Sequence, residues 1–327
     1  MSQKLYITTS PHVHSGDTIE RNMRTVLYAL IPAFIASVAV FGIGAVIVTA
    51  ISVLSCLFFE WFITRFLLKR PSTLYDCSAV ITGVLLAFNL PSNIPVYMIV
   101  MGALVAIGVG KMAFGGLGNN PFNPALVGRV FLLISFPSTM TSWPVPHQYM
   151  AYADAVTGAT PLNLIGQIAG GNADIASQLP GLKDLFLGNT GGCIGEVSAL
   201  ALLIGLLILL WRRVITWHIP VTILATVAVL TGLMWIVNPD LYVNPLYHLF
   251  SGGLMLGAIF MATDYVTSPM SKKGMVWYGV GIGLLTVIIR CFGSYPEGMS
   301  FAILIMNAVT PLINNWCKPK RFGEVKK

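Results

Sequence analysis

The chain is a succession of apolar runs cut by short polar segments, and that pattern constrains its fold more than any single residue does. Residues 26–68 are almost continuously apolar apart from Gly42-Ile43-Gly44, long enough for two membrane spans of about 20 residues joined by a tight turn. Pro32 is expected to kink the first of them. Shorter runs follow at residues 78–88, 96–113 and 124–136, and five more at 197–210, 219–237, 249–262, 276–289 and 299–313. Only 9% of the residues are charged, against roughly 25% in a soluble domain. The expected fold class is therefore an all-α polytopic membrane protein with about ten transmembrane helices.

Charge then sets an orientation. Ten spans with the N-terminus inside put nearly every lysine and arginine on the cytoplasmic side, leaving Lys183 and Arg290 as the clear exceptions. The expected organisation is a cytoplasmic segment over 1–25, a first membrane half over 26–136 and an outside loop over 137–195. A second membrane half over 196–313 and a basic cytoplasmic tail over 314–327 follow. Both termini are then cytoplasmic, in a bacterial or archaeal cytoplasmic (inner) membrane. The net charge of +7 is spread between apolar runs, so the expected partner is the lipid bilayer and no nucleic acid. The polar N-terminus is not expected to act as a cleaved leader. Five scattered cysteines, without a Cys-x-x-Cys pair or neighbouring histidines, predict neither a metal centre nor disulfides. His12 and His14 read as solvated loop residues.

The shorter runs are bounded by Asn89-Leu90-Pro91 and by a stretch from Gly115 to Pro124 that contains Asn119-Asn120-Pro121-Phe122-Asn123. Glycine and proline at membrane depth free backbone groups, which is tolerated where protein or a polar cavity satisfies them. The expectation is broken helices lining a site. An internal repeat points the same way: Asp76-Cys77-Ser78-Ala79 aligns with Glu196-Val197-Ser198-Ala199, Ile94-Pro95-Val96 with Ile219-Pro220-Val221, and Asn120-Pro121-Phe122 with Asn244-Pro245-Leu246, at offsets of 120, 125 and 124. Three spans per matched region would insert the second copy inverted, with a binding site at the repeat interface. Channels for small polar solutes share that architecture, so such a channel or transporter is the alternative reading.

One polar stretch stands apart: Asp154-Ala155-Val156-Thr157-Gly158-Ala159-Thr160-Pro161-Leu162, in the outside loop. Small residues, two hydroxyls, an upstream acid and a following proline predict an open, turn-like backbone. The stretch resembles the flavinylation motif of the Rnf and Na+-translocating NADH:quinone reductase families. Ser10-Pro11-His12, Asn120 to Ala125, Gly195 to Ala201, Gly252 to Pro269 with Ala262-Thr263-Asp264, and Tyr295-Pro296-Glu297-Gly298 resemble the same families in the same order, most closely the D subunits of Rnf ferredoxin:NAD+ oxidoreductases.

The resemblance implies FMN joined through its phosphate to Thr160 by a separate flavin transferase, with Asp154, Thr157, Gly158 and Ala159 as the recognition segment. It also implies a second, noncovalent flavin such as riboflavin, for which Asn120 and Asn123 are the candidate ligands. Other membrane and peripheral subunits of the complex would be the partners, and electron flow would be coupled to Na+ or H+ translocation. Asp76, Glu196 and Asp264 are the candidate coupling acids, each equally readable as a helix-end anchor. A purely structural membrane subunit without flavin is a third reading.

Overall fold

The computed structural model describes residues 18–70, 73–152, 154–171, 175, 178–239, 241–293 and 297–319. The Ser10-Pro11-His12 opening, the His12 and His14 pair, Tyr295-Pro296 and the tail beyond residue 319 lie outside the described residues.

Every apolar run forms helix. α1 (Ile19–Phe41) starts earlier than its apolar run because Thr18 caps it, accepting from the Arg21 amide at 3.2 Å, and it continues through Pro32. It ends at Gly42, whose φ of +62° turns the chain directly into α2 (Ile43–Phe62). A Cβ at Gly42 would meet the backbone of Tyr149, so the turn requires glycine twice over. α2 runs on through a π-helical turn, Ile63–Leu67. α3 (Ser78–Phe88), α4 (Val96–Leu104, extended by Val105–Val109) and α5 (Pro124–Ser135) complete the first half. The second half holds α9 (Ala199–Trp211), α10 (His218–Val237), α11 (Pro245–Phe250), α12 (Leu254–Leu256, extended by Gly257–Met261), α13 (Lys272–Phe292) and α14 (Met299–Trp316). Five of these helices are long and apolar enough to cross a bilayer. Their outward faces, like that of α9, carry bare apolar side chains such as Leu54, Phe58, Leu207 and Val229, the surface a lipid solvent selects.

The expected outside loop is less irregular than its composition predicts. Between α5 and α9 lie α6 (Pro137–Met140), a two-stranded ribbon of β1 (Trp143–Pro144) with β2 (Thr157–Gly158), α7 (Pro161–Ala169) and α8 (Leu182–Leu187).

Contacts between helix ends sort into two groups. At one end the Ile43 amide donates to Tyr149, His147 to Val40, and Gly195 to Phe88, each at 2.9 Å; Arg290 donates to the His248 carbonyl at 2.7 Å. At the other, Lys111 meets Glu60, Tyr265 donates to the Val214 carbonyl, and Thr310 donates to the Thr267 carbonyl at 3.0 Å. Chain reversal at each of ten successive apolar segments puts both members of every pair at the same end. α3 starts at the Lys111 end, whereas its repeat counterpart α9 starts at the opposite end, where Gly195 meets Phe88. The copies therefore run in opposite senses.

Two local features refine the repeat. Asn123 and Asn244 are the capping residues of α5 and α11, each followed by proline in the first turn, with the side chain accepting from an amide inside the helix. Asn123-Pro124, rather than Asn120-Pro121, is thus the structural partner of Asn244-Pro245, because capping geometry and not dipeptide likeness sets the register. The run over 249–262 is broken at Ser251-Gly252-Gly253 between α11 and α12.

α3 has 11 residues and spans only about 16 Å, half a bilayer. Its end is closed by the segment before α9: Gly195 donates to Phe88 and Ile194 donates to Leu90 at 3.1 Å. A Cβ on Gly195 would fall on the Phe88 side chain. Gly195→Ala is expected to destabilise the protein by about 1–3 kcal/mol through overpacking at this junction, read as a lowered unfolding midpoint in detergent. An unchanged midpoint would show that the junction yields.

Candidate functional site

Three polar constellations interrupt the apolar bundle. The first lies at the Lys111 end. Glu60, near the end of α2, is fully buried, and Lys111, just beyond α4, is 2% exposed. Their Nζ–Oε2 distance is 2.7 Å. Lys111 also donates to the Ser78 hydroxyl at 2.6 Å, which donates to Asp76 at 2.6 Å, while Thr73 donates to the second Glu60 oxygen at 2.7 Å. Side chains from separate segments thereby satisfy one buried ion pair, the condition under which such a pair is tolerated in an apolar medium.

This network borders a cleft between α1, α3, the entry to α5 and the segment after α12. Asn120, Asn123, Lys111, Ser78 and Asp264 supply its polar wall, and Met23, Leu85 and Phe260 part of its apolar wall. Asn123 is committed: its carbonyl oxygen caps α5, and its amide donates to the Met261 carbonyl at 3.2 Å. Asn120 is not. Its amide donates to the Phe122 carbonyl at 3.0 Å, but its buried Oδ1 has no partner among the described residues. Burial holds the Asp264 carboxyl above its usual range, against the amides of Val266 and Tyr265 and the Thr267 hydroxyl, which favour the charged form.

The second constellation sits where α3, α5 and the segment before α9 meet. Arg129 of α5 is 2% exposed; it donates to Asn89 at 2.6 Å, contacts the Cys193 sulfur at 3.7 Å and pairs with Glu297. Glu196 lies beside it, with Oε2 buried and without a hydrogen-bond partner among the described residues. Ligand atoms of Cys193, Glu196 and Glu297 fall within 4.8 Å of one another. The Arg129 guanidinium already supplies the positive charge that balances Glu297 there.

The third is the Asp154 to Leu162 stretch. Asp154, Thr157, Gly158 and Ala159 are exposed, and Thr157-Gly158 pairs with β1. The open backbone expected of the stretch ends earlier than predicted: Pro161 and Leu162 are already in α7, and Thr160 is its cap. The Thr160 hydroxyl accepts from the Asn163 amide at 3.2 Å, and the residue is 6% exposed. Proline at the first helical position favours this geometry, since its missing N–H would be unpaired there anyway.

The candidate residues therefore divide. Asn120, Asn123 and Asp264 share the cleft and Asp76 joins it through Ser78; Glu196 belongs to the Arg129 cluster; Thr160 and its flanking residues stand apart at the Glu196 side of the molecule. Sequence reasoning missed Glu60, Lys111 and Arg129, although each is an ionisable residue inside or at the edge of an apolar run, which is itself the signal. Glu297 stood out in the Tyr295-Pro296-Glu297-Gly298 stretch that resembles the family, but not as a partner of Arg129.

Residues 6–323 match the NQR2, RnfD, RnfE family. The chain is 46% identical over 324 residues to the D subunit of the Na(+)-translocating ferredoxin:NAD(+) oxidoreductase complex of Acetobacterium woodii, covering 98% of this chain and 96% of that relative. It is 40% identical over 321 residues to the D subunit of the proton-translocating ferredoxin:NAD(+) oxidoreductase complex of Clostridium ljungdahlii, covering 97% and 96%. Over 350 aligned residues it is 37% identical to the D subunit of the ion-translocating oxidoreductase complex of Yersinia pseudotuberculosis, covering 98% of each chain.

Lys111→Met leaves Glu60 buried without its counter-charge and is expected to cost about 3–5 kcal/mol. Adding Glu60→Gln should restore much of the loss. Unfolding midpoints of the single and double variants in detergent check this; additive losses would show that the two side chains do not interact.

Proposed function

The chain belongs to the NQR2, RnfD, RnfE family, and on that premise we propose that it is the membrane electron-transfer subunit of an ion-translocating ferredoxin:NAD+ oxidoreductase, carrying FMN esterified to Thr160. The observation that carries the flavin assignment is the exposed Asp154 to Ala159 segment leading into Thr160 at the head of α7. A helix N-terminus has amides without intrahelical partners and a positive dipole end, which favour a phosphate group. Those of Leu162 and Asn163 stand in the first turn after Thr160, so the residues present fit an FMN phosphate.

Because Thr160 is buried and capped against Asn163, its hydroxyl becomes available to a flavin transferase when this cap opens. Gly158 and Ala159 give the enzyme an unhindered approach. FMN would supply the electron-carrying chemistry, and the chain its position and surroundings.

The cleft beside Lys111 is the proposed seat of a second, noncovalent flavin such as riboflavin, and two features of its lining support that reading. Asn120 Oδ1 is a buried acceptor with no partner among the described residues, able to take an N–H from a ligand's ring. The surrounding apolar wall suits a planar aromatic body, and a mostly apolar cleft with few convergent polar groups is the usual form of such sites. Coupling to Na+ or H+ movement would involve Asp76 and Asp264 at this end and Glu196 at the other. The arginines and lysines at the Lys111 end support its placement in the cytoplasm, with the Thr160 loop outside. Remaining redox steps belong to other subunits of the complex.

Co-expression with a flavin transferase tests the reading. The denatured wild-type band is expected to fluoresce, and the peptide containing Thr160 to carry an FMN mass increment; Thr160→Ala should lose both. Asn120→Leu should lower the flavin released on denaturation at least about tenfold, the scale expected when a buried hydrogen-bond partner is removed, with covalent flavin retained. A dark wild-type band with an unmodified peptide would overturn the assignment in favour of a solute channel.

A further inference from the structure

The first turns of α1 and the last turn of α9 enclose a cleft that none of the chemistry above uses. Arg24 and Arg212 line it, with Arg21 beside them, together with Glu20, Tyr28 and Trp211. Among the described residues its lining is richer in guanidinium than in carboxylate. Glu20, also in the lining, is paired with Arg24 four residues on, and both side chains are largely exposed. Such a pair is weak and readily exchanged for a better anion. Arg212 lies over the Trp211 ring, 5.4 Å from its centroid, which holds the guanidinium at the cleft.

What lies below the arginines decides what kind of anion fits. On α1 the exposed face of Tyr28 continues through Ile31 and Ile35, three and seven residues on. On α9 the exposed face of Trp211 continues through Leu207, Ile204 and Leu200, one helical stripe running away from the cleft. α1 and α9 pack against each other, so the two stripes border one apolar valley headed by arginines. Tyr28 and Trp211, 61% and 79% exposed, stand at the boundary, where amphipathic rings settle at headgroup depth. A free phosphate would use only the upper half of this surface, and an acidic peptide would leave the apolar valley bare. A phosphate joined to acyl chains uses both.

We propose that the cleft between α1 and α9 binds an anionic phospholipid, its phosphate held by Arg24 and Arg212 with Arg21 alongside, and its acyl chains lying between Ile31 and Ile35 on one side and Ile204 and Leu207 on the other. The phosphate oxygens accept from the guanidinium forks, the geometry for which arginine is suited over lysine. The site tethers the start of α1 to the end of α9 through a lipid, at the same end as the Lys111 cleft.

The test uses the intact complex, purified in mild detergent and equilibrated with equal amounts of phosphatidylglycerol and phosphatidylcholine. Lipids retained on this subunit are counted by native mass spectrometry. Phosphatidylglycerol should be retained preferentially, and Arg212→Gln should weaken its retention about fivefold, the scale for one surface arginine at an anionic membrane. Arg21→Gln/Arg24→Gln/Arg212→Gln should abolish the preference, whereas Lys272→Gln/Lys273→Gln, at the same end but outside the cleft, should leave it intact. Thermal unfolding confirms that each variant is folded, with Arg212→Gln deciding the matter should the triple variant fail to assemble. Equal retention of the two lipids, or a preference untouched by Arg212→Gln and by the triple change, overturns the proposal. So does displacement of the lipid by millimolar inorganic phosphate, which would make the cleft a free-anion site, or cross-linking of Arg24→Cys to an acidic segment of another subunit, which would make it a protein contact.

Discussion

In a bilayer every backbone amide and carbonyl must find its partner within the protein, and the short helices of this chain are possible only because other segments close their ends. α3 is too short to cross an apolar layer, and the Gly195 amide covers its last carbonyl, at Phe88, while that of Ile194 covers Leu90 just beyond it. α5 starts from Asn123, which caps its own helix and at the same time donates to the end of the extended α12 at Met261. Each of these interruptions in the first half of the chain is therefore completed by the second. The junction has almost no slack, as the contact between Gly195 and Phe88 shows.

Interrupted helices free space and polar groups at depth, and the buried charges gather there. Glu60 with Lys111 stands at one end and Arg129 with Glu297 towards the other. Both pairs join distant parts of the chain, and both are surrounded by further hydrogen-bonding groups: Thr73, Ser78 and Asp76 around the first, Asn89 and Cys193 around the second. A charge pair in this medium is worth having only when its remaining donors and acceptors are also satisfied. Among the described residues, Asn120 Oδ1 and Glu196 Oε2 are buried oxygens left without a hydrogen-bond partner.

The same architecture keeps the Thr160 segment and the Asn120 cleft apart. Thr160 caps a helix at one end, whose Leu162, Ile165 and Ile168 pack inward. The Asn120 cleft lies at the other end, against α1, α3 and the entry to α5.

Much of the fold was legible in the order of the residues. Apolar runs marked the helices and Gly42 the first reversal, because hydropathy and local turn chemistry act on neighbours in the chain. The Asp154 to Leu162 stretch stood out as a polar interruption, but its burial did not: Thr160 is covered because α7 begins at Pro161 and packs inward. Nor could spacing reveal that Glu60 meets Lys111 across 51 positions or that Arg129 meets Glu297 across 168. The sequence by itself determined an α-helical membrane protein with a repeated, interrupted plan. Only the tertiary structure decided which charges pair, which asparagine caps and which keeps a free acceptor, because burial and partner choice depend on how distant helices pack.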